Sequence, residues 1–142
     1  SRTAFARRAP YTINRNTEHL VDWLQGRPEV RAVHWARSEQ THENFRRLAR
    51  EGGGGGSLVT IELREALRPF FDHARLVKGP SFGVKFSLMC PFLYLAHYNL
   101  VTTEPGRRHL HACGLNPELV RLSVGTEPLG EIQEALLAGF SK

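Results

Sequence analysis

Apolar and small side chains recur at Ile13, Thr17, Leu20, Val21 and Leu24, the three-and-four spacing of one helical face, which predicts a helix over residues 11–25. Gly26 and Pro28 stop it in the usual order. Residues 1–10 are polar and basic without a start signal, and read as the tail of something longer. A short strand is expected over 29–35. Ser38 is placed to cap a helix running to Arg50, with Phe45, Leu48 and Ala49 turned inward. Residues 57–63 alternate as a strand. Pro69 suits the first turn of a short helix that buries Phe70, Phe71 and Ala74. Strands follow at 75–78 and 82–89, separated by Gly79-Pro80 and ended by Cys90-Pro91. Residues 92–101 are aromatic-rich and follow neither period. Thr103 caps a helix with Pro105 at its start and Gly114 at its close. A last helix over 128–140 has the stripe Leu129, Ile132, Leu136, Leu137 and Phe140.

Between these last two helices lies Leu119-Val120-Arg121-Leu122-Ser123-Val124-Gly125-Thr126-Glu127. Alternation puts Val120, Leu122 and Val124 on one face of a strand and Leu119, Arg121 and Ser123 on the other. A permanently charged guanidinium in mid-strand needs a partner wherever the strand is buried. A ligand carboxylate would suit its planar fork, whereas a solvent-facing arginine or one paired with a local glutamate would need no ligand. The elements together, mixed without a regular βαβ repeat, predict an α+β two-layer domain: a small, mostly antiparallel sheet with helices on one face.

At 142 residues and 16.0 kDa the chain has the size of one domain. No apolar run approaches the roughly 20 residues that span a bilayer, and the arginine-rich start lacks the apolar core of a secretory signal. Cys90 and Cys113 have no metal-like spacing, and read as reduced, buried thiols of a cytoplasmic protein, with a single disulfide as the alternative. The formal charge of +5 raises nucleic acid as a partner. The arginines are scattered, however: Arg2, Arg7, Arg8 and Arg15 at the start, Arg46, Arg47 and Arg50 in the middle, Arg107 and Arg108 later. Without an RNA-binding aromatic motif or a DNA-reading helix, such scatter reads as solvated surface or as a face for an acidic partner domain.

The five glycines at 52–56 lead into a strand. A phosphate cradle would deliver its amides onto a helix, so a flexible turn or a close backbone approach is expected instead. His109 and His111 are two apart and point to different sides of a helix, and His42 and His73 have no ligand-spaced neighbours, so no metal site is expected. Gly79-Pro80-Ser81-Phe82-Gly83 imitates a nucleophile elbow, but Pro80 and the strand behind it spoil that geometry. Ser81 is either a ligand positioner or a plain turn serine.

Four segments, in order, carry a resemblance. Lys78-Gly79-Pro80-Ser81-Phe82-Gly83-Val84-Lys85-Phe86-Ser87-Leu88, with Pro91-Phe92 and Leu95-Ala96-His97-Tyr98 after it, resembles the fungal-type cystathionine γ-synthase group of pyridoxal-phosphate (PLP) enzymes of cysteine and methionine metabolism. The Leu119 to Glu127 stretch resembles it too. Ile13-Asn14-Arg15-Asn16-Thr17-Glu18 is similar to the family's helix joining large and small domains, and residues 52–63 to the glycine-rich entry of the small domain. The resemblance implies the C-terminal small domain of a fold-type I PLP enzyme. Residues 1–26 would be the interdomain linker helix and 27–142 the small domain, with the large PLP-binding domain absent from the chain.

By the same resemblance, Arg121 would bind the substrate's α-carboxylate, and Ser81 would help set that carboxylate and the cofactor lysine. Phe82 stands where the group usually has leucine, and Val84-Lys85 where it has a small polar pair. None of Lys78, Lys85 and Lys142 stands in the context of the Schiff-base lysine. The resemblance therefore implies no catalytic or cofactor-binding residue in this chain, PLP only in the full-length parent, and no transsulfuration by the isolated chain. The parent would carry out γ-replacement or C–S elimination on a homoserine- or cysteine-type amino acid, as a cytoplasmic homo-oligomer without nucleic-acid or membrane partners. The alternative is a free-standing interaction or regulatory module that keeps the fold without catalysis.

Overall fold

The computed structural model describes residues 2–141, with side chains described from residue 8 onward; Ser1 and Lys142 lie outside the described residues. The first helix, α1 (Arg2–Gln25), continues through Pro10 instead of starting after it. Proline removes one N–H from the helical ladder, and here the helix continues through that gap. Thr17, Leu20, Val21 and Leu24 are buried as the periodicity requires. Arg27 then pairs with Glu29 and lies over the rings of Trp23 and Phe140, tying the end of α1 to the last helix.

Five strands form one sheet: β1 (Val30–Trp35), β2 (Leu58–Leu63), β3 (Val77–Lys78), β4 (Leu88–Cys90) and β5 (Leu119–Ser123). Their order is β1-β2-β5-β4-β3, and every pair is antiparallel except β3 with β4. The sheet is thus mostly antiparallel, with β5 at its centre. Cross-strand register sets Val59 opposite Leu122, Ile61 opposite Val120, and Met89 opposite Leu122, so one face is continuously apolar. That face packs on α1, on α3 (Leu67–His73) and on α7 (Leu129–Phe140). Phe70 of α3 and Phe140 of α7 stack with centroids 4.9 Å apart.

The α+β class holds, with one addition to the single helical layer expected. The opposite face, carrying Leu119 and Arg121, is partly covered by α4 (Phe92–Ala96), α5 (Tyr98–Thr102) and α6 (Glu104–Ala112), which enclose a second apolar cluster of Leu93, Val101 and Leu110 with Leu119 against it. The stretch that followed neither period is therefore two single-turn helices. Thr103 caps α6 as expected, its hydroxyl accepting from the Gly106 amide.

Two expectations are corrected. Helix α2 (His42–Leu48) is capped by no side chain and buries nothing; Leu48 is 88 % exposed. Ser38 instead closes the turn before it, accepting the Trp35 amide at its hydroxyl. Residues 82–87 are not strand. Two of their amides bond to side chains, Gly83 to Ser123 Oγ and Ser87 to a Glu127 carboxylate, which removes those positions from a ladder.

The glycine run is a close approach. A Cβ at Gly55 would stand 2.7 Å from the Trp35 ring, and one at Gly54 would strike the Asn14 side chain. Asn14 also accepts the Gly56 amide. None of the helices among the described residues is long and apolar enough to cross a membrane.

Candidate functional site

On β5, Val120 and Leu122 point into the core and leave Arg121 on the other face, between Thr60 of β2 and Cys90 of β4. Its guanidinium lies between two aromatic rings, 5.4 Å from the centroid of Phe82 and 5.5 Å from that of Phe92. Nη2 donates to the Pro80 carbonyl at 2.6 Å. Nε is buried and has no hydrogen-bond partner among the described residues. Among the described residues no carboxylate pairs with Arg121, while six other arginines do have acidic partners. Neither alternative to a ligand role, pairing with a local glutamate or a fully solvated guanidinium, describes this side chain. A buried, unpaired donor on a permanent cation is costly, and an anion reaching it would relieve that cost. Stacking on aromatic faces is the environment in which a planar guanidinium can still present its edge.

Ser81 is exposed and directly follows the proline whose carbonyl Arg121 grasps, so the fold brings the two sequence-predicted residues to one place. Burial pushes the Cys90 thiol above its ordinary pKa, and the charge of Arg121 opposes that rise. Cys113, expected to be buried, is exposed at the C-cap of α6, with Sγ 3.8 Å from His109 Nε2; both cysteines are free thiols. It is a helix-end residue, and only its apolar character suggested the core.

The segment 80–87 is held by a polar network that sequence reasoning missed. Ser87 Oγ donates to Glu127 Oε2 at 2.9 Å and accepts the Gly125 amide at 2.8 Å. Lys85 offers its carbonyl to both the amide and the hydroxyl of Thr126. From α1, Asn16 donates to the carbonyls of Gly125 and Glu127. Asn16, Ser87 and Ser123 are all buried. The aromatic clamp of Phe82 and Phe92 was missed as well. The signal for Asn16 was slight, a polar residue beside an inward stripe, and nothing in local spacing joined Phe82 to Phe92.

A cleft of about 430 Å³ opens between this face of the sheet and α4–α6. Arg121, Phe92, Leu110 and Leu119 line it, together with His109 and Cys113. Among the described residues no three His, Cys, Asp or Glu side chains come together as metal ligands would.

The described residues do not make a PLP site of their own. Lys78 Nζ donates to the Ala74 carbonyl and lies over the Phe71 ring, Lys85 is an exposed residue of the 80–87 segment, and the glycine run is closed by Asn14 and Trp35. Neither described lysine faces a phosphate cradle.

Residues 9–141 match the sequence profile of the Cys/Met metabolism PLP-dependent enzymes. An L-2-amino-4-chloropent-4-enoate dechlorinase/desaturase of Streptantibioticus cattleyicolor is 33% identical over 128 residues, 90% of this chain and 26% of that protein. The cystathionine gamma-synthase of Neurospora crassa is 29% identical over 122 residues, 84% of this chain and 19% of its own length. The chain thus spans about a quarter of these relatives or less. The fold is shared with crystal structures of cystathionine gamma synthase from Xanthomonas oryzae (TM-score 0.74, 22% identity, 96% of this chain and 35% of that one). Cystathionine gamma-lyase from Lactobacillus plantarum is similar to the same degree (TM-score 0.73, 20% identity, 96% and 35%). Full-length homologues of this kind use PLP. With the profile matching nearly its whole length, the chain belongs to the Cys/Met metabolism PLP-dependent enzyme family.

Proposed function

We propose that this chain is the C-terminal, substrate-carboxylate-binding domain of a cystathionine γ-synthase-like enzyme, with residues 1–26 as the linker helix from a large PLP-binding domain and 27–142 as the small domain. The observation that carries the reading is Arg121: a cation clamped between Phe82 and Phe92, with a buried Nε that none of the described residues satisfies. An amino acid's α-carboxylate is a planar anion that this edge fits, and holding it would orient Cα for chemistry supplied from the large domain. Ser81, beside the grasped Pro80 carbonyl, would take part of the same carboxylate or of the cofactor lysine's surroundings.

The relatives' names span synthase, lyase and dechlorinase/desaturase, so the reaction class is γ-replacement or elimination on a homoserine- or cysteine-type amino acid. The working protein would be a cytoplasmic homo-oligomer. Nucleic acid is not a partner in this reading, because the arginines are scattered along the chain without a nucleic-acid-binding motif, and six of them are ion-paired.

Steady-state kinetics of the full-length enzyme test this reading. Arg121→Lys should lower kcat/KM by about tenfold or more, chiefly through KM, the scale of a charge-assisted hydrogen bond lost. Cofactor absorbance should be unchanged, and Ser81→Ala should have a smaller effect in the same direction. An unchanged kcat/KM for Arg121→Lys and for Arg121→Met would remove the carboxylate role, and would favour an interaction module that keeps the fold without catalysis.

A further inference from the structure

Arg121 and Ser123 leave β5 two residues apart on the same face, and each binds one end of the same four-residue segment. Arg121 Nη2 donates to the Pro80 carbonyl at 2.6 Å, and Ser123 Oγ accepts the Gly83 amide at 3.1 Å. Between these anchors stand Ser81, which is exposed, and Phe82, whose ring lies over the Arg121 guanidinium. Gly83 has φ +69°, a left-handed conformation that residues with a Cβ rarely adopt, so the second anchor point depends on glycine. Ser123 is buried in the sheet, where a hydroxyl is costly unless it is bonded, and the Gly83 amide supplies that bond.

We propose that Ser123 is a positioning residue for the carboxylate site: its hydroxyl fixes the 80–83 segment against β5, and so sets Ser81 and the Phe82 ring relative to Arg121. One strand then carries both the anion receptor and the anchor of the segment that flanks it. The spacing of the two is set by the rise between alternate strand residues, roughly 6–7 Å, rather than by a mobile loop. The inference rests on the carboxylate role of Arg121 and adds to it a residue that acts through another.

Steady-state kinetics of the full-length enzyme compare Ser123→Ala, Ser81→Ala and the double variant, with Arg121→Met alongside. Ser123→Ala should lower kcat/KM about three- to tenfold, the scale of one hydrogen bond, through KM and with kcat and cofactor absorbance held. Ser123→Thr, which keeps the hydroxyl, should recover most of the loss. In the double variant the two losses should combine to less than their product, because Ser123 acts through the segment that carries Ser81. Amide hydrogen exchange in the 142-residue chain should quicken about tenfold or more at Gly83 in Ser123→Ala, while the amides of the core strands keep their rates. An impaired Arg121→Met beside an unaffected Ser123→Ala would overturn this inference and leave the carboxylate reading standing. So would losses that multiply, equal losses in Ser123→Thr and Ser123→Ala, or an unchanged exchange rate at Gly83. An unchanged kcat/KM in Arg121→Met would overturn the carboxylate reading itself, and this inference with it.

Discussion

Arginine on an apolar strand has five donors and no way to discharge, and Arg121 places only one of them on a protein oxygen that the structure defines, the Pro80 carbonyl. The residues around it show how such a group is kept in place. Pro80 holds one edge, two rings hold the faces, and the far end of the 80–87 segment is tied down by Ser87. That serine is buried and makes three hydrogen bonds through its amide and hydroxyl, to Glu127 and Gly125. Ser87→Ala strands the Gly125 amide and one carboxylate oxygen. It should destabilise the chain by about 1–3 kcal/mol, read as a lower midpoint in denaturant at constant slope. A loss well under that range would mean that water replaces the hydroxyl.

Elements differ in how far their own residues dictate them. Helices α1 and α7 follow from a 3.6-residue apolar stripe, and β2 and β5 from alternation. The 80–87 segment has Phe82 and Phe86 in a pattern that reads as strand, yet side-chain acceptors from β5 and the turn after it capture its amides. Gly125 lets that turn come close: a Cβ there would stand 2.5 Å from the Lys85 carbonyl oxygen. The turn between α1 and β1 should respond to pH through Glu29. Burial alone would raise the pKa of Glu29, but the hydrogen bond from Arg27, its backbone hydrogen bond and the Arg27 charge together bring it below the ordinary carboxylate value. A carboxyl depressed in the folded state stabilises above its unfolded pKa, roughly 4.3, and the contribution is lost as pH falls through the folded value. Thermal melts should therefore show Glu29→Gln differing from the parent at pH 7 and converging with it below about pH 4. A difference that stays constant across this range would show that the ion pair contributes nothing to acid sensitivity.

At the scale of the molecule, one core joins all of this. Leu20 and Leu24 of α1, Ile61 of β2, Leu122 of β5 and Leu136 of α7 are almost wholly buried together. Leu136→Ala should cost about 2–5 kcal/mol, because close packing leaves a cavity that only partly collapses. Leu48→Ser on the exposed α2 should change stability by no more than about 0.5 kcal/mol. Equal losses from both in the same denaturation experiment would contradict the division between core and surface. Because the apolar face of the sheet is complete within these residues, the chain has a core of its own, while the face with Arg121 is only partly covered.

How much of this could be read from residues alone follows the range of the interactions. Local periodicity was enough for the main helices, the alternating strands, the α6 cap and the α+β class, because each depends on neighbours within a turn or a strand. The same alternation placed Arg121 opposite the core, and the family resemblance set Ser81 beside it. Residues far apart in the chain decided the rest. Ser123 and Glu127 turn an apparent strand into a loop, Asn16 reaches across from α1 to the turn after β5, and Phe82 and Phe92 meet on either side of one guanidinium. The burial of α2 was misjudged for the same reason, since a stripe shows that a helix has an apolar side but not whether the fold supplies a surface to cover it. Sequence determined which groups carry charge and which strand presents them. Tertiary structure decided which donors remain without a partner, because that depends on every acceptor the rest of the chain brings near.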